Sequence, residues 1–320
     1  MRTVHEPTDR RTAEVTQDLR RMRGALDGQV PVKSDDNLLI GTWNLRAFGD
    51  LTPKWQAADG DTPKRDWHAL ACIAEVVRRF DVTAVQEARR NTTALAALLH
   101  LLGPEFRLIT SDVTEGGPGN GERLTFVYDS SRVQPSGLVG EIVLPHETDA
   151  PATQFARTPY AAGFTRAAVD FVLTTVHVLW GERPSDRLGE LTAFAEWMKR
   201  WAERPDDWNQ NLLVLGDFNL DRRGDPLFAA FLSTGLWPPA ELEHVPRTVF
   251  DNDKENHFYD QIAWFSDTSQ PGPPSLLQGL TYSRHGGSFD FVPLAFRDLT
   301  TIQLSWRISD HYPLWVEFTL

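Results

Sequence analysis

The chain has a single cysteine, Cys72, among its 320 residues. An intramolecular disulfide is therefore excluded, and no C-x-x-C pair or Cys/His cluster suggests a structural zinc site. The apolar neighbours of Cys72 place it in the core. No stretch approaches the ~18 apolar residues of a membrane span, and MRTVHEPTDRRTAEV at the start lacks the apolar run of a signal peptide. The cytoplasm is the expected compartment, with leaderless export left open. Positive charge is also scarce: 32 Lys and Arg stand against 44 Asp and Glu, a net charge of −12. That argues against a broad basic surface for polyanions but leaves room for a few arginines in a locally positive cleft.

What is present is aromatic bulk. Eleven tryptophans and eighteen phenylalanines are more than a disordered chain carries, so most of the length should be packed. Residues 1–36 are polar and charged, yet Val15, Leu19, Met22 and Leu26 recur at helical spacing and predict a short amphipathic helix in an N-terminal extension. The pattern changes at Asn37. Leu38 to Trp43 is a compact apolar run suited to a buried strand.

Thr62-Pro63 reads as a helix cap and first turn, with Trp67, Leu70, Ala74 and Val77 on one face. A strand follows over Asp81–Gln86 and a helix over Thr92–Leu102. Further strands are predicted at Phe106–Ile109, Leu124–Tyr128, Ala167–Val176, Asn211–Leu215, Tyr259–Phe265 and Leu314–Phe318. Ser185 is placed as the cap of a helix burying Leu188, Leu191, Ala195 and Met198, and Pro226–Leu232 gives a shorter helix. TEGGPGNG (114–121) and QPGPPS (270–275) signal loops. Strands and helices alternate without internal repeat or long linker, which predicts one large α/β domain over residues 37–320.

Polar residues that are costly to bury stand repeatedly where apolar strands stop. Asn44 follows LLIGTW, Glu87 follows VTAVQ, His177 follows LTTV, Asp217 and Asn219 follow LLVLG, and Asp310-His311 follow RIS. Strand ends on one edge of a sheet converge on a common crevice, so this repetition predicts a site. The inventory suits attack on a phosphodiester, which needs a base for water, donors facing the phosphoryl oxygens and help for the leaving oxygen. His177 and His311 can exchange protons near neutral pH, and Asn44, Asn219 and Arg157 can donate to phosphate. Glu87 and Asp310 are hard oxygen ligands, suited to Mg²⁺, Mn²⁺ or Ca²⁺.

The segments GTWNLRAFG (41–49), VVRRFDVTAVQEAR (76–89), ERLTFVY (122–128), FARTP (155–159), TTVH (174–177), LGDFNLD (215–221), YDQI (259–262) and ISDHYPLWVEF (308–318) together resemble the endonuclease/exonuclease/phosphatase superfamily. Within it they are most similar to the pancreatic-type deoxyribonuclease I group. The resemblance implies a four-layer α/β/β/α sandwich with two central mixed sheets. It implies that Glu87 binds a metal, Mg²⁺ or Mn²⁺, with Asn44 and Asp310 near the same ion, and that His177 and His311 flank the scissile phosphate. It further implies that Glu122 orients the first histidine and Asp260 the second, that Asp217, Asn219 and Arg157 contact phosphate and transition state, and that Arg89 enters the minor groove of DNA.

Departures from the group are equally informative. Asn120 stands where these deoxyribonucleases carry a tyrosine against the DNA sugar. Arg46 replaces the second metal-binding acid of the abasic-site nucleases, which favours the deoxyribonuclease branch and makes Arg46 a substrate contact. Asp251, Asp253 and Glu255 alternate where the group has a calcium loop, so a structural Ca²⁺ is a candidate. Trp43, Trp237 and Trp264 are assigned to the core, and Trp180, three residues past His177, to the border of the substrate.

DNA is the expected substrate. A second reading keeps the chemistry and takes a phospholipid, phosphoinositide or small phosphoester. A third, a non-catalytic module binding nucleic acid or protein, would be marked by loss of Glu87, His177, Asp217 or His311, and all four are present.

Overall fold

The computed structural model describes residues 4–117, 119–145, 154–222, 224–252, 257–269 and 275–320. In chain order its elements are α1 (Ala13–Gln29), β1 (Asn37–Phe48), α2 (Trp67–Val77), β2 (Val82–Arg89), α3 (Thr93–Leu102), β3 (Phe106–Thr110), β4 (Glu122–Asp129) and β5 (Gln134–Glu141). There follow β6 (Tyr160–Arg166), β7 (Val169–His177), α4 (Pro184–Ala202), β8 (Leu212–Asp217), α5 (Pro226–Leu232) and β9 (Leu236–Trp237). The last are β10 (Asp260–Phe265), β11 (Thr281–Ser288), α6 (Thr301–Ser305) and β12 (Leu314–Thr319).

The strands form two six-stranded sheets, ordered β11-β12-β1-β2-β4-β3 and β5-β6-β7-β8-β10-β9. Each is mixed: β1 runs parallel to β2, and β7 parallel to β8, among otherwise antiparallel neighbours. The alternation of β1 shows why the sheets face each other. Leu38 and Ile40 point into the apolar layer between the sheets, beside Phe126, Phe164, Leu213 and Ile262, whereas Leu39 and Trp43 point out toward α2. The outer face of the second sheet is covered by α4 and α5. Helix, sheet, sheet, helix is the four-layer order.

The N-terminal helix does not stand off as an appendage. Val15, Leu19, Met22 and Leu26 are buried in the same apolar cluster as α2, and with a helix on one side and a sheet on the other, every residue of α2 is buried. The cap of α2 is Asp66, whose carboxylate accepts the Ala69 N–H at 2.9 Å, so Thr62-Pro63 belongs to the preceding loop. In α4 Arg183 holds the cap position and Asp186 accepts its N–H at 2.9 Å; Leu191, Ala195 and Met198 are buried as expected but Leu188 faces solvent. Cys72, Trp43 and Trp264 are core residues, and Trp237 is half-buried.

Candidate active site

β1 and β2, like β7 and β8, run parallel, so their carboxyl ends share one rim, and the polar residues that end them meet there. Two of these strands are bent at the site. Pairing between β1 and β2 slips between Asn44 and Phe48, pairing between β2 and β4 slips between Val85 and Ala88, and Glu87 lies in that bulge with φ +59°. A bulge re-aims the side chain it carries, and a left-handed glutamate costs about 1 kcal/mol that the surroundings must hold. The Glu87 carboxylate accepts the Ala47 N–H at 2.8 Å and pairs with Arg89 at 3.1 Å. Burial pushes its pKa up, but His177, the Ala47 N–H, Arg89 and His311 outweigh that and hold it at about 2.

The two histidines are built reciprocally. His177 ends β7 in the second sheet, and its Nδ1 is 2.8 Å from the carboxylate of Glu122, the first residue of β4 in the other sheet. His311 precedes β12 in the first sheet, and its Nδ1 is 2.6 Å from Asp260, which opens β10 in the second. A carboxylate accepts, so each Nδ1 carries the hydrogen and each Nε2 is left toward the cleft. Both Nε2 atoms approach one oxygen, Asp217 Oδ2, at 3.6 Å from His177 and 3.9 Å from His311. The same oxygen accepts Asn44 Nδ2 at 2.9 Å, a third link between the sheets. Asp217 Oδ1 accepts the Asn219 N–H at 3.0 Å.

The electrostatics follow from burial among acids. Burial opposes charge on His177, but the Glu122 hydrogen bond and Asp217 raise its pKa above the ordinary value against the pull of nearby Arg157. Burial likewise opposes charge on His311, and Asp260, Asp217 and Asp310 raise it well above 6.5. Burial lifts Asp260 to about 6 despite the attraction of His311. Within this cluster of described residues two buried acceptors are left without a hydrogen-bond partner, Asn44 Oδ1 and Asp260 Oδ1. Orphaned buried acceptors cost of order 1–3 kcal/mol each and call for a ligand.

The other expected residues are placed as follows. Arg157 Nε lies 2.8 Å from Glu122 as an ion pair, off the line of a hydrogen bond, and its Nη1 donates to the His177 carbonyl at 3.5 Å. It is thus turned onto the first imidazole's support. Asn219 Nδ2 donates to the Val178 carbonyl at 2.7 Å. Asp310 pairs with Arg46 at 3.3 Å, and the Arg46 guanidinium lies 3.8 Å over the ring of half-exposed Trp306. Arg89 does not reach outward: it binds Glu87, Glu122 at 3.3 Å and the Asn120 carbonyl at 2.7 Å. Trp180 is 50% exposed, edge-on to Tyr259, which stacks on His257.

For the proposed calcium loop the structure gives Asp251 another job. Its Oδ2 accepts the N–H groups of Arg247 and Thr248 at 2.8 and 2.9 Å, and its Oδ1 faces His257 Nδ1 at 2.9 Å, so it braces its own turn. Asp253 and Glu255 lie outside the described residues. Among the described residues the three-member acid and histidine cluster with ligand atoms within 4.8 Å of one another is Asp217, Asp260 and His311, a set that omits Glu87 and Asp310.

Two residues that support the site were not marked by the sequence. Buried Ser309 donates to the Asn44 carbonyl at 2.5 Å and accepts the His311 N–H at 3.0 Å. Buried Arg187 donates to the carbonyls of Trp180 and Asn219 at 2.7 and 2.6 Å and pairs with Asp221. Ser309 could have been found in SDHY; nothing local marks Arg187, whose partners lie up to 34 residues away.

A four-layer sandwich with two carboxylate-backed imidazoles at the rim of its paired sheets defines a hydrolase acting on phosphoric esters. The chain belongs to the endonuclease/exonuclease/phosphatase family, whose sequence pattern matches residues 41–311. A deoxyribonuclease of Thioalkalivibrio sp. is 28% identical over 294 residues, covering 88% of this chain and 71% of the relative. Deoxyribonuclease-1 of Bos taurus is 22% identical over 305 residues, covering 88% and 93%. In fold, the chain matches a mannosyl-6-phosphatase of Bacteroides thetaiotaomicron with a TM-score of 0.57 at 17% identity, covering 88% of this chain and 100% of that one. No helix among the described residues is long and apolar enough to cross a membrane.

Proposed function

We propose that the protein is a divalent-metal-dependent endonuclease hydrolysing phosphodiesters of DNA. The observation that carries this reading is the convergence of two imidazoles, each backed by a carboxylate from the opposite sheet, on Asp217 Oδ2. In-line attack of water needs a proton acceptor on one side of phosphorus and a donor on the other. With each Nδ1 spent on its carboxylate, one Nε2 takes the proton from water and the other gives one to the departing oxygen. Asp217 and Asn44 hold the pair of rings at this spacing, and Asn219 keeps an N–H for a phosphoryl oxygen.

The residues fit a hard divalent cation. Asn44 Oδ1 is a buried acceptor with no donor, Glu87 is kept ionised, and the donor set is oxygen, as Mg²⁺ or Mn²⁺ prefers. Glu87, Asn44 and Asp310 would hold it, and it would supply charge to balance what builds on the phosphoryl oxygens. The cluster of Asp217, Asp260 and His311 suits the ion less well, because its Asp260–His311 hydrogen bond already holds a proton.

DNA as substrate is supported by Arg46 beside Asp310, by exposed Trp180, and by relatives named deoxyribonucleases at up to 28% identity. A cytoplasmic setting belongs to this reading, since the lone Cys72 is buried and needs no oxidising compartment. The second reading, a small phosphoester, is favoured by one observation: Arg89 is tied down on Glu87 and Glu122, which leaves it drawn back from a groove.

Incubation with supercoiled plasmid and Mg²⁺ or Mn²⁺ tests the proposal. Nicking by the wild type, abolished by chelator and by His177→Ala, supports it. Intact plasmid alongside turnover of a small phosphodiester or phosphoinositide selects the second reading, and binding without turnover of any ester selects a non-catalytic module. Mn²⁺ titration places the ion: Glu87→Gln should weaken binding more than Asp260→Asn.

A further inference from the structure

Arg65 lies in the loop between β1 and α2, one residue before the α2 cap, within the 41–311 family match but between the short segments GTWNLRAFG and VVRRFDVTAVQEAR. Its side chain is buried, and it is fastened to four main-chain carbonyls. Nε donates to Arg307 at 2.9 Å, Nη1 to Ala47 at 3.1 Å, and Nη2 to Arg46 at 2.7 Å and Ile308 at 3.0 Å. Two of these carbonyls belong to the end of β1, which carries Asn44 and Arg46. The other two lie in the run that enters Ser309-Asp310-His311. No carboxylate of a described residue comes within ion-pair distance, so this is a buried cation whose nearest work is done on peptide groups; Glu87 and Asp310 attract it from farther away. Burial lowers its pKa to about 10, which leaves it charged at neutral pH.

One peptide group makes the link to chemistry direct. The carbonyl of the Arg46–Ala47 peptide accepts Arg65 Nη2, while the N–H of the same peptide donates to Glu87 at 2.8 Å. A cation on the oxygen side polarises the amide and strengthens donation from its nitrogen. Ala47 has φ +50°, a conformation an alanine keeps only when it is held from outside. Arg65 holds the carbonyls on both sides of it.

The geometry points to Arg65 as a positioning residue that clamps the two strand-end segments, so that Glu87 and Asn44 on one side and Asp310 and His311 on the other face a single phosphate. This rests on the phosphoester reading for its catalytic consequence and on the hydrogen bonds alone for its structural one. A guanidinium is required: a lysine ammonium is a point charge on a flexible stem, and its three donors lack the planar fork that spans both segments.

The test is Arg65→Lys, read in two ways. On plasmid, kcat should fall by about 100-fold, the scale of a misplacement of about 1 Å, with KM changed by less than about twofold. Without metal or DNA, the Ala47 amide resonance should move upfield in the ¹⁵N-correlated spectrum while amides of β7 and β8 stay in place. A folded lysine variant with kcat and the Ala47 amide unchanged overturns the inference, as does a shift spread evenly over both sheets. Should the lysine variant not fold, the wild type decides: the Arg65 Nε–H should exchange with solvent far more slowly than that of exposed Arg10, and equal rates overturn the clamp. If the wild type cuts no DNA, the spectra still judge Arg65 while the nuclease reading fails separately.

Discussion

Charged and polar side chains are buried at both ends of the paired sheets, and the two ends treat them differently. At the end opposite the candidate site, Asp81 accepts the Leu39 N–H at 2.8 Å and pairs with Arg132; Arg132 donates to the Asn37 carbonyl and side chain at 3.0 Å; Lys33 meets Asp129 at 2.7 Å. None of the polar atoms of these five side chains is left orphaned. At the rim with the histidines, acids crowd one another, Asp260 is pushed to about 6, and two acceptors find no donor. Buried charge alone therefore does not mark a site. Orphaned acceptors inside a cluster of acids and histidines do, whereas buried atoms without a hydrogen-bond partner, such as those of His68 and Trp315, also occur elsewhere.

The contrast breaks most visibly under truncation. His177→Ala or His311→Ala should lower turnover by about 10²- to 10⁴-fold, the usual worth of a proton-transferring group, and should also lower the urea unfolding midpoint, since each ring is hydrogen-bonded to a buried carboxylate. Asp81→Ala should cost stability alone. It strands Arg132, so denaturant titration should show a loss of about 3–5 kcal/mol, while specific activity of the folded fraction is kept. If Asp81→Ala lowers the turnover of the folded fraction as the histidine variants do, the two ends are not different in kind.

A finer test uses pH. The Glu122 carboxylate raises the pKa of His177 and Arg157 opposes it, so Glu122→Gln should lower that pKa. The limb of the kcat/KM profile set by His177 then moves to lower pH, with a smaller maximum; a limb that stays put would show that another group sets it. The smallest effect belongs to the edge of the cleft. Trp306→Ala removes an exposed cation–π contact with Arg46, worth about 0.5–1 kcal/mol, and should lower the melting temperature by about 1–3 °C while freeing Arg46 raises KM only slightly.

How much of this could be read from the chain divides along physical lines. Apolar runs such as LLVLG and LLIGTW announce buried strands because only such runs can be covered on both faces, and the polar residues that end them were legible for the same reason. β5 was missed because Pro135, Gly137 and Gly140 are poor strand formers, tolerated there since β5 is an edge. β11 hides behind Arg284, His285, Gly286 and Gly287, on another edge. Glu122 and Asp260 were reachable only through family likeness, since nothing local tells which carboxylate will face which histidine across 55 or 51 residues. Arg65 was invisible for a further reason: its partners are main-chain carbonyls, which every sequence possesses. The alternating acids around Asp251 were legible as a pattern, but spacing could not reveal that Asp251 turns its oxygens onto its own loop.

The exchange of carboxylates between the sheets has a consequence for folding. Each ring is supported by the opposite sheet, and Asn44 joins Asp217 across the same seam, so neither half of the sandwich contains a working set of groups. During refolding, β-structure can return within each sheet before the layers dock. Regained hydrolysis should therefore lag behind regained circular dichroism, and the delay between the two would time the closing of that seam.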